Sequence, residues 1–279
     1  MTGQLATGSA RRTTLDLPGQ RIAALQAGSD ADPPVVLVPG YTGSKEDFAP
    51  ILDPLAESGF FVTAIDLPGQ YESPGLPDAT DYTPDRLAAA VVGVADELGG
   101  PVRLLGHSFG GLVARAAVIA AAQRFASLVL MSSGPAQLDG VRRVTMDQLA
   151  PVLAASGLPG VYAAMEMAAL NEPGYVAPPA ELSEFLERRF LGGSPEMLQG
   201  MGDALRHEPD RVAELSRTGV PVLVMHGVDD DAWLPEIQRE MARRLGASYV
   251  VIPDAAHSSA VENPTATAAA LVEFWRPTT

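Results

Sequence analysis

The chain of 279 residues contains no cysteine, which excludes a disulfide scaffold, a thiolate nucleophile and any cysteine-ligated metal. Lysine occurs once, as Lys45, so arginine carries nearly all the positive charge; with the alanine and glycine load this suggests a GC-rich bacterial genome. Cations of either kind are few. Nineteen Lys and Arg against 34 Asp and Glu leave a formal net charge of −15, a surface that repels nucleic acid and anionic membranes, so neither is expected as a partner. Long apolar runs are missing too. The stretch "MTGQLATGSARRTTLDLPGQ" has no apolar centre of the kind a secretory signal needs. The most apolar helical run, "LVARAAVIAAA", is interrupted by Arg115 and too short to span a bilayer. A soluble, cytoplasmic protein without membrane insertion is expected. Nor does the chain hold an H-E-x-x-H pair or a phosphate loop, so no metal and no cofactor is implied.

What the chain does have is 47% hydrophobic residues, enough for one large domain or a core domain carrying an insertion. Short apolar runs closed by turn residues, "PVVLVPG" (34–40), "FFVTAIDLPG" (60–69), "PVRLLGHS" (101–108) and "ASLVLMSSGP" (126–135), read as buried parallel strands. Between them "KEDFAPILDPLAESG" and "TPDRLAAAVVGVADELGG" carry apolar residues at helical spacing, the second capped by Thr83 or Asp81. This order predicts an α/β fold with a parallel sheet. From 136 to about 215 no strand pattern appears, and "VRRVTMDQLAPVLAASG", "LPGVYAAMEMAAL" and "ELSEFLERRFLGG" predict short helices. Strand–helix order resumes with "VPVLVMHG" (220–227) and "SYVVIPDAAHS" (248–258). The expected organisation is a core of residues 1–135 and 216–279 interrupted by a helical insertion over 136–215.

One motif carries chemistry. "GHSFG" (106–110) fits G-x-S-x-G, which places Ser108 on a strand-to-helix turn. The alternative is a glycine-rich turn whose serine caps the next helix. A serine nucleophile needs a base, and the base an orienting acid. Of the four histidines, His107 adjoins Ser108, His207 lies in the insertion and His226 ends a strand. His257 follows the last expected strand, at the carboxyl edge where open α/β sheets build their sites. Asp229, Asp230 and Asp231 follow a strand between serine and histidine, and their positions alone do not choose among them.

Five segments in order resemble the α/β-hydrolase fold family, in particular its esterases and lipases with a helical cap. These are "VPGYTGSKEDF", "DLPGQYES", "GHSFGG", "HGVDDDAWLP" and "PDAAHSSAVENP". The resemblance implies a mostly parallel sheet flanked by helices, with the triad Ser108, Asp230 (three after Gly227) and His257. It also implies an oxyanion hole from the backbone N–H groups of Tyr41 and Phe109. The implied activity is hydrolysis of a small or medium carboxylic ester or lactone through an acyl-enzyme. Amide or carbon–carbon bond hydrolysis, cofactor-free perhydrolysis, or a retired hydrolase fold serving as a ligand receptor stay open on the same residues. Haloalkane dehalogenases and epoxide hydrolases are disfavoured, because they place aspartate where this chain has Ser108. The chain departs from the pattern at Pro39, where the family often has histidine, so a hydrogen bond usually made there is absent or replaced. It departs again at Pro68 and Tyr71, the latter in place of a glycine. Met165 and Met201, among five methionines in the insertion, and Trp233 are candidate pocket residues; packing of the insertion onto the core is the competing use.

Overall fold

The structure, a computed structural model, describes residues 3–172 and 174–276. The chain runs β1 (Arg11–Leu17), β2 (Gln20–Ala27), β3 (Pro34–Val38), α1 (Ala49–Glu57), β4 (Phe61–Ile65), α2 (Pro84–Glu97), β5 (Val102–His107), α3 (Phe109–Ala121) and β6 (Phe125–Met131). Four helices follow: α4 (Gly140–Leu170), α5 (Ala180–Leu191), α6 (Pro195–His207) and α7 (Val212–Ser216). The last part is β7 (Val222–Gly227), α8 (Pro235–Leu245), β8 (Ser248–Ile252), α9 (Ser259–Glu262) and α10 (Pro264–Trp275).

The eight strands form one sheet in the order β1-β2-β4-β3-β5-β6-β7-β8. All pairings from β4 to β8 are parallel, whereas β1–β2 and β2–β4 are antiparallel. Side chains alternate across the sheet, as strand geometry requires. Val36, Val38, Leu104, Leu128 and Leu130 pack beneath α2, α3 and α8. Val35, Leu37, Leu105, Val129 and Met131 pack against α1, α9 and α10. Both faces being covered explains why these strands read as continuous apolar runs. Thr83 is the cap of α2, its hydroxyl accepting from the Arg86 N–H at 3.3 Å. The N-terminal hairpin was not expected from the sequence. β1 is an edge strand in which only Leu15 is buried, so it carries almost no apolar alternation.

Between β6 and β7 the described residues are helical. α4 is broken at Gly157, which adopts a positive φ of 61°, so it consists of the two segments expected from the sequence. By length and composition α4 alone, among the described residues, could cross a membrane, but it is divided at this kink. α6 and α7 were not expected. Yet α6 has clear start signals: the Ser194 hydroxyl accepts from the Met197 N–H (2.9 Å) and Pro195 opens the helix. The two ends of the insertion are joined to each other and, through Arg115, to the core. Leu138 N–H donates to Leu205 O and Gln137 N–H to Glu208 O, each at 2.8 Å. Arg115 of α3, fully buried, donates to Glu208 Oε1 (2.6 Å) and to the Pro135 carbonyl (2.5 Å).

Candidate active site

Ser108 stands between β5 and α3 with φ 55° and ψ −122°, a region that non-glycine residues enter only when their surroundings enforce it. The glycines around it permit this. A side chain at Gly106 would collide with the backbone of Gly110 and Gly111, and one at Gly110 with the carbonyls of Val38 and Pro39. The Ser108 N–H donates to the Met131 carbonyl (2.9 Å), which holds the turn against β6. Ser108 therefore sits at the N-terminus of the 13-residue helix α3, whose dipole favours negative charge there. Among the described residues the N–H groups of Tyr41 and Phe109 donate to no protein acceptor.

His257 Nδ1–H donates to Asp230 Oδ1 at 3.0 Å, and both residues are buried. The same carboxylate accepts from the Ala232 N–H (3.0 Å) and from Gln238 Nε2 (2.9 Å). Burial alone pushes the Asp230 carboxyl up, but these hydrogen bonds and the neighbouring imidazole outweigh it and hold it at about 2. Nδ1 of His257 being occupied as a donor, Nε2 is left as the basic nitrogen. The other aspartates are placed differently. Asp231 is exposed and paired with Arg142 (2.6 Å), and Asp229 is exposed.

The remaining histidines are committed elsewhere. His107 donates from Nε2 to the His257 carbonyl at 2.7 Å, which braces the loop carrying His257. Burial, reinforced by the nearby His257, pulls its imidazole down to about 4, so it is neutral at physiological pH. His226 donates from Nδ1 to the Gly227 carbonyl and accepts from the Tyr249 hydroxyl (2.6 Å). His207 lies on the exposed side of α6, bonded to the Asp203 carbonyl.

Two loops after β3 and β4 back the site, and their key residues were not singled out by sequence reasoning. Gln70, 1% exposed, donates from Nε2 to the carbonyls of Gly40 (2.6 Å) and Tyr41 (3.3 Å). It thus supplies, from the neighbouring loop, a hydrogen bond to the segment in which Pro39 stands for histidine. Lys45, the only lysine, is fully buried and contacts Asp66 (2.7 Å), Glu72 (2.7 Å) and Glu46 (3.2 Å). Burial raises the Asp66 carboxyl to about 6, only partly offset by Lys45. Tyr71, which stands where the family pattern has glycine, adopts a positive φ of 37°, with its ring 4.8 Å from the Lys45 ammonium. The roles of Lys45 and Gln70 could not be read from the sequence because the partners that define them, Asp66 and Gly40, lie 21 and 30 positions away.

A cavity of about 770 Å³ opens over Ser108 and His257. It is reached by the carboxyl ends of five strands, which contribute Tyr41, Ser108, Leu138, Ala232 and His257. The insertion supplies an apolar wall from α4, including Met146, Leu149, Leu153, Val161 and Met165. α5 and α6 add a polar side with Arg189, Glu196, Asp203 and Arg206. Two expectations need correction. Met201 is fully buried and does not line the cavity: with Met197 it occupies the α6 face that packs into the core. Trp233 is also outside the lining. Its ring is buried against Gly134 and its indole N–H donates to the Gln137 carbonyl (3.2 Å). The Tyr41 hydroxyl is likewise not free for a ligand, since it donates to the Leu198 carbonyl of α6 (2.5 Å).

A sequence profile of the alpha/beta hydrolase family matches residues 35–270. Over 259 residues the chain is 29% identical to a pimeloyl-[acyl-carrier protein] methyl ester esterase of Neisseria meningitidis, covering 88% of this chain and 93% of that protein. It is also 29% identical, over 88% of its length, to the dihydrolipoyllysine-residue acetyltransferase component of the acetoin cleaving system of Cupriavidus necator. The match spans only 64% of that longer protein. Among solved structures, a thermophilic esterase from Thermogutta terrifontis superimposes with a TM-score of 0.76 at 26% identity, covering 95% of this chain and 98% of that one.

Proposed function

The chain belongs to the alpha/beta hydrolase family, and from that premise we propose that it is a serine hydrolase cleaving a carboxylic ester or lactone through an acyl-enzyme on Ser108. The observation that carries this reading is the meeting, at one cavity, of a strained serine, a histidine held by a buried carboxylate and two unpaired backbone amides. Each has a role in acyl transfer. Asp230, ionised, keeps His257 in the tautomer whose Nε2 accepts a proton. Nε2 takes the Ser108 proton as Oγ attacks the substrate carbonyl carbon. The carbonyl oxygen becomes an oxyanion facing the Tyr41 and Phe109 N–H groups, where the α3 dipole also favours negative charge. Collapse breaks the carbon–oxygen bond, and His257 returns its proton to the leaving alkoxide. Water, deprotonated by the same nitrogen, then hydrolyses the acyl-enzyme.

The insertion over 136–215 acts in this reading as a cap that chooses the substrate. A cavity of about 770 Å³ walled by α4 aliphatic side chains suits a small-molecule ester with an apolar group. No metal or cofactor enters the scheme. The test is labelling with a fluorophosphonate and mass spectrometry of the adduct. Wild type is expected to gain the phosphonyl mass on the peptide containing Ser108 and to hydrolyse short p-nitrophenyl esters. Persistent labelling in Ser108→Ala, or an adduct on another residue, would overturn the assignment.

A further inference from the structure

We propose that Gln70 is a positioning residue of the oxyanion hole, fixing the Gly40–Tyr41 peptide so that the Tyr41 N–H faces the reacting carbonyl oxygen. This inference rests on the serine-hydrolase reading and assigns a task to a residue outside the triad. Gln70 donates to the oxygen of the very peptide unit whose nitrogen belongs to Tyr41 (2.6 Å). A peptide unit is planar, and the described chain contains no cis bond, so its C=O and N–H point in opposite directions. Holding the oxygen on the Gln70 side therefore turns the N–H the other way. Ser108 is close by. A Cβ built on Gly40 would come within 3.2 Å of the Ser108 Cβ.

The glutamine itself has only one workable orientation. Its Oε1 accepts from the Leu67 N–H (2.9 Å), a group that can only donate. Nε2 meets two carbonyls, which can only accept. Its backbone is pinned as well: the Gln70 N–H donates to Leu67 O (2.9 Å), and Gln70 O accepts from the Ser73 N–H (2.8 Å). Asp66, in the same loop, accepts from both the backbone N–H (2.8 Å) and the ammonium (2.7 Å) of Lys45, so the two loops are joined at a second point. The bond to the Gly40 oxygen also polarises the peptide and strengthens its N–H as a donor. Glutamate at this position would set a carboxylate oxygen against two carbonyl oxygens. Methionine would fill the space without a donor.

The test compares wild type with Gln70→Met and Gln70→Glu, using kcat and KM on a p-nitrophenyl ester and two inhibitors of matched chain length. An alkyl trifluoromethyl ketone forms a tetrahedral adduct that needs the hole, whereas the corresponding methyl ketone reports ground-state binding. Because loss of one direct donor costs roughly 10²–10³ in kcat, loss of its support is expected to cost about 10–100-fold in kcat with KM nearly unchanged. Trifluoromethyl ketone affinity should weaken by a similar factor, and methyl ketone affinity should not. If Gln70→Met fails to fold, Gln70→Glu carries the same test at nearly equal volume. Folded variants that keep wild-type kcat and ketone affinity, or that lose both ketones equally, overturn the inference alone. Absence of a fluorophosphonate adduct on Ser108 in wild type overturns the serine-hydrolase reading, and this one with it.

Discussion

At the scale of single side chains, three consecutive aspartates differ in what surrounds their carboxylates rather than in their chemistry. Asp230 is buried and receives three hydrogen bonds, whereas Asp231 faces solvent and Arg142. Asp230→Asn should leave the fold intact and lower kcat by several orders of magnitude, on the order of 10⁴ by analogy with a serine protease. Asp229→Asn and Asp231→Asn should stay near wild type in steady-state assays. The pH dependence has a definite sign. The folded carboxyl of Asp230 lies at about 2, below its ordinary 3.8. Its stabilising effect is therefore complete above the ordinary value and is lost as pH falls toward 2. Acid-unfolding curves of Asp230→Asn should be flatter than wild type across that window.

At the scale of elements, the insertion divides its methionines by helix face. Met146 and Met165 of α4 line the cavity, Met146 touching the core as well, whereas Met201 of α6 is packed into the core and does not reach the cavity. Met146→Ala and Met165→Ala should change the ratio of kcat/KM between short and long acyl esters by an amount worth ~1–3 kcal/mol, with fluorophosphonate labelling retained. Met201→Ala should act on stability instead, costing ~2–5 kcal/mol in urea denaturation with the chain-length preference unchanged. A shifted preference in Met201→Ala with normal stability would contradict this division.

At the scale of the whole molecule, Arg115 links the helix behind Ser108 to both ends of the insertion. Its guanidinium reaches the Pro135 carbonyl where the chain leaves β6, and Glu208 where α6 ends. Burial pushes the Glu208 carboxyl up, and the ion pair with Arg115 only partly counters it. Removing one member leaves the other charge buried and alone. Glu208→Ala should cost ~3–5 kcal/mol, and the double change Arg115→Met with Glu208→Leu should recover much of it. Equal destabilisation by the single and double changes, read from urea midpoints, would show that the pair is not coupled.

The strands from β3 onward and the helices α1 to α5 were legible because each has its own local period, whereas α6 and α7 were not. The turn of Ser108, fenced by glycines, and the helix break at Gly157 were legible too. These features depend on residues within a few positions of one another. The edge strand β1 was not legible, because a strand with one buried residue has no pattern to read. Position by itself left three aspartates equivalent, with Asp230 implied only by the family resemblance, and gave no way to tell a cavity-lining methionine from a packed one. Tertiary structure supplies the physical reason: what distinguishes Asp230 is a histidine 27 positions away, and Met165 of α4 lines the cavity while Met201 of α6 is packed into the core. The same holds for Gln70, which touches a peptide 30 positions back in the chain. Local sequence encodes elements through backbone periodicity. A functional site is a set of through-space distances between elements, and those exist only once the sheet has brought its strand ends together.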